Sequence, residues 1–289
     1  MLRHTLLLFL LALIWSASFL AIKVGVETFP PLTLTAGRVV LAAAVVVAFA
    51  WFRGERLPRE PRVWVYCILL GFFGNALPFT LINWGEEHVD SGQAAILMAV
   101  MPMVTTVLAH FFTIGDRMTP TKVAGVIVGF AGVVVLVGPE AVKGLGGDLW
   151  RQLAVSGGAM CYSIAVILTR NMPPSPLLSR SAGVLISSVV MMLPVALVID
   201  QPWTLVPTTE GWLAMVYLGL FPTALATIVL FYLVQQRGPS FVAYSNYLIP
   251  IFAVLWGTTF LDEVLSPRVG TALVVILCGM VITQIRRRA

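Results

Sequence analysis

The chain has 289 residues, of which 59% are hydrophobic and 11% charged, with a net charge of +5. Soluble domains carry about 25% charged residues, so this composition excludes an ordinary water-soluble fold. The cationic excess is not gathered on one soluble face, which excludes nucleic acid as a partner and turns the charge into a question of membrane topology.

The first segment, "MLRHTLLLFLLALIWSAS", has the basic start, apolar run and small residues of a secretory signal peptide. The apolar run continues through Phe19–Val26 and further apolar runs follow, so it is read as the first membrane helix. Lipid offers the backbone no hydrogen bonds, so each crossing must be a helix of about 20 apolar residues. Ten spans are predicted at 5–26, 33–52, 63–84, 92–113, 121–138, 153–170, 179–199, 211–234, 240–261 and 268–286. Pro30-Pro31, Pro58, Pro120, Pro139, Pro173-Pro174, Pro207 and Pro267 punctuate the connections. Cys67, Cys161 and Cys278 fall inside apolar runs at spacings that suit neither a metal nor a disulfide, and are read as small hydrophobes.

Taken in chain order, the spans carry a set of polar and aromatic side chains. Trp15, Ser18 and Phe19 form a stripe on the first span, which ends in Lys23, a cation able to snorkel to the outer headgroups. Arg38 lies deeper, within the second span, where an unpaired cation costs about 2.5–3.5 kcal/mol on insertion scales. A structural or gating contact with outer-loop carboxylates or carbonyls is expected for it, ahead of substrate binding. On the third span Asn75, Phe79 and Asn83 recur every four residues and share a face. Thr223, Thr227 and Phe231 do the same on the eighth. Pro78 and Pro222 stand beside these stripes and free backbone carbonyls for a cavity or water. Tyr162 on the sixth span, and Tyr244 and Asn246 on the ninth, complete a set of rings and neutral hydrogen-bonders suited to a small, partly apolar solute. Ser16 and Ser163 read as packing residues, Met98 and Met101 as core filler, and Gly125, Gly129 and Gly132 as a close-approach surface.

The Lys/Arg bias sets the direction of insertion. With the N-terminus in the cytoplasm, thirteen cations lie inside: Arg3, Arg53, Arg56, Arg59, Arg62, Arg117, Lys122, Arg170, Arg180, Arg237, Arg286, Arg287 and Arg288. Only Lys23, Lys143, Arg151 and Arg268 lie outside. Both termini are therefore expected in the cytoplasm, with Glu86–Asp90 facing out.

Shifting the chain by 148 residues aligns Trp64 with Trp212, Gly71 with Gly219, Phe73 with Phe221, Pro102 with Pro250 and Phe112 with Phe260. Each half then holds five spans. An odd number inverts the second copy, an architecture that places transporter sites at the repeat interface near the midplane. The predicted fold is all-α and integral to the membrane: a first five-helix repeat over 1–138, an external linker over 139–152, and an inverted repeat over 153–289.

The segment "IWSASFLAIKVGVETFPPLTLTAGRVVLAA", with the ten-span inverted repeat and the fifth-helix motif "GDRMTP…AGVIVGFAGVVVL", resembles the EamA-type branch of the drug/metabolite transporter superfamily. Within it the chain is most similar to YddG-type exporters of aromatic amino acids. That resemblance implies a multi-pass protein of the bacterial inner membrane that exports small metabolites by alternating access. Arg38 corresponds to the family's second-helix arginine.

Every carboxylate maps to a loop or a span end, and His110 is the one histidine placed within a span. No Walker-type loop is present. A facilitator that lets solute run down its own gradient is therefore expected; proton-coupled efflux of drugs or other metabolites, or a channel-like pore, are the alternatives. Three scattered histidines supply no catalytic cluster, so no enzyme activity, cofactor or metal is expected. The expected partners are a small-molecule substrate and the bilayer, with the protein a monomer.

Overall fold

Backbone amides held in hydrocarbon must find acceptors within their own segment, and the described chain is helical throughout with no strand. The computed structural model describes residues 2–112, 118–138, 147–237, 239–242 and 245–284, apart from the side chains of 147, 148, 231, 234, 235, 239, 240 and 284. The helices, in chain order, are α1 (Leu2–Val26), α2 (Pro31–Phe52), α3 (Pro61–Glu86), α4 (Ser91–Phe112) and α5 (Pro120–Val137). There follow α6 (Gly147–Asn171), α7 (Leu177–Ile199), α8 (continuous from Thr209 to Arg237), α9 (Ser245–Phe260) and α10 (Pro267–Gln284). Eight of them, α1 to α8, are long and apolar enough to cross a bilayer. Pro267–Thr283, within α10, is a shorter apolar helix.

Two helices are not regular. α3 contains a π segment at Phe72–Ala76, closed by the Leu77 amide bonding to the Phe72 carbonyl. α8 contains one at Gly219–Leu225, where the Ala226 amide bonds to the Phe221 carbonyl. Under the 148-residue shift these segments coincide to within a residue. α4 is interrupted differently: Ala99 and Val100 form a turn ahead of Pro102, whose ring cannot follow an unbroken helix.

The packing has the same twofold logic. α5 packs on α10 and α2 on α7, each against its own counterpart. α1 packs on α9 as α6 does on α4, α1 on α8 as α6 does on α3, and α2 on α8 as α7 does on α3. For these pairs, replacing each helix by the one five places along returns the same partners. The α5–α10 seam brings backbones together: a Cβ on Gly125 would lie 2.6 Å from the Gly279 carbonyl, and one on Gly279 would lie 2.5 Å from the Gly129 amide. Small residues let helices approach this closely where lipid provides no hydrophobic drive. The largest apolar core lies between α4, α5, α6, α9 and α10, around Ile96, Met103, Leu136, Ile276 and Met280. The outward faces stay apolar, as at Val134 and Val198, which suits contact with lipid.

Helix ends gather at two faces. At one, Asp200 Oδ2 accepts from both the amide and the hydroxyl of Thr33 at 2.8 Å, Arg151 pairs with Glu87, and Lys23 reaches the α3–α4 turn. At the other, Glu55 accepts from the Ser179 amide at 3.1 Å, and Arg3 lies over the Tyr232 ring at 5.3 Å.

Candidate functional site

The site is built where α2, α3, α6 and α8 meet. Arg38 enters it from α2 and is 5% exposed. Its Nε donates to Thr223 Oγ1 at 2.7 Å, and its guanidinium lies over the Phe79 ring at 3.7 Å. Tyr162 of α6 meets the same ring edge-on at 6.4 Å. Thr223 in turn donates to the Leu218 carbonyl at 2.8 Å. Position 222 is a proline and has no amide hydrogen to offer, so the acceptor that Pro222 releases is taken up by the next residue's hydroxyl rather than left to water. Trp15 Nε1 donates to the Pro222 carbonyl at 3.3 Å, which ties α1 to the same segment.

Of the residues expected here, Trp15, Arg38, Phe79, Tyr162, Pro222 and Thr223 are therefore connected. Asn83 borders them: it is fully buried, and its amide nitrogen donates to Thr35 Oγ1 at 3.0 Å and to the Pro31 carbonyl at 3.3 Å. Thr227 bonds back to the Thr223 carbonyl at 2.5 Å, one turn along α8. Others point elsewhere. Asn75 bonds to Ser188 Oγ at 3.0 Å and joins α3 to α7. Ser18 bonds to its own helix at Trp15, and Phe19 packs into the core around α4 and α9. Pro78 packs against α6, its carbonyl 3.5 Å from where a Cβ on Gly158 would sit. Asn246 is half-buried on α9. The Phe231 side chain and Tyr244 lie outside the described residues.

Three expectations need correction. Glu86 counts as a span-end carboxylate by position, but it is fully buried, and neither carboxylate oxygen has a hydrogen-bond partner among the described residues. It continues the stripe of Phe79 and Asn83 at the next helical step, a regularity hidden in the sequence by the charged run Glu86-Glu87-His88 that looks like a loop. Lys23 does not snorkel to headgroups: its Nζ donates to the Glu86 and Val89 carbonyls at 2.8 and 3.1 Å, because a helix end offers unpaired acceptors closer at hand. Arg38 contacts a hydroxyl and a ring rather than outer-loop carboxylates or carbonyls. Its partner stands 185 residues away in sequence.

Lys23, Arg38 and Glu263 lie within electrostatic range of Glu86, and Tyr162, Tyr217 and Glu86 within that of Arg38. Glu263 itself accepts from the Ser91 and Gly92 amides at 2.7 and 3.1 Å, which caps α4 from the end of α9. Beside it, an open cleft of about 390 Å³ is lined by Lys23, Glu27, Asp90, Leu261, Asp262, Glu263 and Val264. Among the described residues no group of histidines, cysteines and carboxylates could hold a metal ion.

Known proteins share this architecture. A crystal structure overlays with a TM-score of 0.71 at 24% identity, covering 98% of this chain and 97% of its own, which establishes the fold. The inner membrane transporter YedA of Escherichia coli K12 is 28% identical over 96% of this chain and 89% of its own length. A protein described as a "probable terminal-alkyne amino-acid exporter", from Streptantibioticus cattleyicolor, is 29% identical over 88% of this chain and 84% of its own. With its apolar helices, the chain is thus a multi-pass protein of the bacterial inner membrane. Its sequence matches the EamA-like transporter family twice, over residues 2–138 and 149–285, and the chain belongs to that family.

Proposed function

We propose that this transporter exports small neutral metabolites, foremost aromatic and other neutral amino acids, by alternating access between two inverted five-helix repeats. The proposed repeats span 1–138 and 153–289, joined by an external linker over 139–152, with ten spans, a monomeric chain and both termini in the cytoplasm. The observation that carries the reading is the cluster of Arg38, Phe79, Tyr162 and Thr223, fed by both matched segments. Rings accept an apolar side chain, and neutral hydrogen-bonders and one cation meet the polar end. The resemblance to an amino-acid exporter points to the same substrate class.

Transport as a facilitator follows if solute binding alone drives the exchange of access. Proton-coupled efflux is the second reading, and one observation favours it: Glu86 is a buried carboxylate that accepts no hydrogen bond from a described residue. Purified protein in liposomes loaded with unlabelled phenylalanine should take up labelled phenylalanine by saturable counterflow with no pH gradient. Flux that starts only when a proton gradient is imposed would replace the facilitator with the coupled reading. Counterflow of other metabolites, with none of any amino acid, would overturn the substrate class.

A further inference from the structure

Buried polar atoms in proteins are paired almost without exception, so those left over mark a function or an absent partner. Among the described residues, three such atoms share one face of α3. Asn83 Oδ1 and both oxygens of Glu86 are buried and accept nothing. They lie about one helical turn apart, and all three are acceptors. Over Phe79, on the same stripe, Arg38 of α2 spreads its guanidinium and spends one N–H, at Nε, on Thr223. Its two Nη groups donate no hydrogen bond to a described residue, and their fork matches a carboxylate. Unmet acceptors on α3 and unmet donors on Arg38, beside the Phe79 and Tyr162 rings, describe a ligand that carries both kinds of group.

We infer that Arg38 and the Asn83–Glu86 turn are the two ends of a zwitterion site, with the Arg38 Nη groups receiving the solute's carboxylate and Asn83 Oδ1 and Glu86 receiving its ammonium. The fastening of Arg38 to Thr223 holds the guanidinium plane in place for this. Tyr162 and Phe79 then flank the solute's side chain. The inference deepens the amino-acid reading above and rests on it.

The proposal is tested by counterflow of phenylalanine in liposomes, with three competitors that each lack one charge or none: tyrosine, N-acetylphenylalanine and phenylalaninamide. Tyrosine should compete, and the two blocked compounds should compete on the order of a hundredfold more weakly, since each leaves one end of the site unpaired. Glu86→Gln should weaken phenylalanine binding while narrowing its advantage over N-acetylphenylalanine. Arg38→Gln should narrow its advantage over phenylalaninamide instead. Because either variant could fail to fold, the competition in the unaltered protein stands alone as a test: inhibition by either blocked compound as strong as that by tyrosine overturns the inference while leaving amino-acid transport intact. Unchanged selectivity in Glu86→Gln, with loss only of a response to pH gradients, makes Glu86 a proton site and also overturns it. Absence of any amino-acid counterflow sinks the substrate class itself, an outcome visible before any competitor is added.

Discussion

Glu263 illustrates how much one side chain can organise. Asp262 adopts a left-handed backbone with φ of 52° just past α9, and the Glu263 amide bonds back to the Gly257 carbonyl at 3.1 Å. That turn is the usual way a helix ends, with aspartate in place of the commoner glycine. It aims the Glu263 carboxylate at the first amides of α4, where the helix dipole favours an anion. Gly257 leaves the space: a Cβ there would stand 2.7 Å from the Glu263 carboxyl carbon. Glu263→Ala should therefore lower stability by about 0.5–2 kcal/mol, the range for a lost helix cap. Gly257→Ala should cause a similar loss by displacing the same carboxylate. The double variant should lose little more than either single one, because both act through one contact. Thermal melts of the four proteins in detergent check this, and additive losses would show that Gly257 acts by another route.

The residue scale is also where the sequence is hardest to read. The stripe on α3 is visible as a four-residue recurrence, and it leads to Phe79 and Asn83. The burial of Glu86 is not, because the charged residues after it imitate a loop and the cation at its carbonyl comes from α1. The depth of Arg38 is legible from the apolar run around it. Its hydroxyl partner is not, because only the fold brings α2 to α8. Asn75 shares the stripe's spacing yet serves Ser188, since the π segment within which it lies changes the phase of the helix between it and Phe79.

At the scale of elements, the two π segments matter because each extra backbone atom pair in a turn shifts the register of everything beyond it. Removing one residue from Phe72–Ala76, for instance Gly74, should return α3 to a regular helix and rotate its outer half by roughly 100°, one residue's share of an α-helical turn. Asn83 and Glu86 would then leave the face they share with Arg38. Counterflow should be lost although the chain still inserts; retained counterflow would show that the outer half of α3 has no part in the site. The link between Asn75 and Ser188 offers a milder case. Asn75→Ala should lower stability by about 0.6–1.7 kcal/mol, the span measured for hydrogen bonds between membrane helices, and should leave solute selectivity unchanged. A change in selectivity would return Asn75 to the substrate site. Helix existence is readable from apolar runs, whereas π segments leave no comparable mark in composition, and the turn ahead of Pro102 falls inside a span expected to be unbroken over 92–113.

At the scale of the molecule, orientation rests on charge alone, and it makes a definite expectation. Val206, in the connection between α7 and α8, is 94% exposed, and Leu57, between α2 and α3, is 44% exposed. In a variant without Cys67, Cys161 and Cys278, Val206→Cys should react with an impermeant thiol reagent applied to cells whose outer membrane has been made permeable. Leu57→Cys should react only after lysis. The reverse pattern would invert the whole topology. Such labelling needs no transport and so separates orientation from function.

The near coincidence of the two π segments has a historical meaning. An irregularity acquired separately by each half would have no reason to fall at matching places, which points to an origin shared by the two segments that match one family. Arg38 has Val184 near the matching position in the other half, and Glu86 stands opposite Val234. Those two charges therefore set one half apart from its twin, which keeps a neutral face at both places.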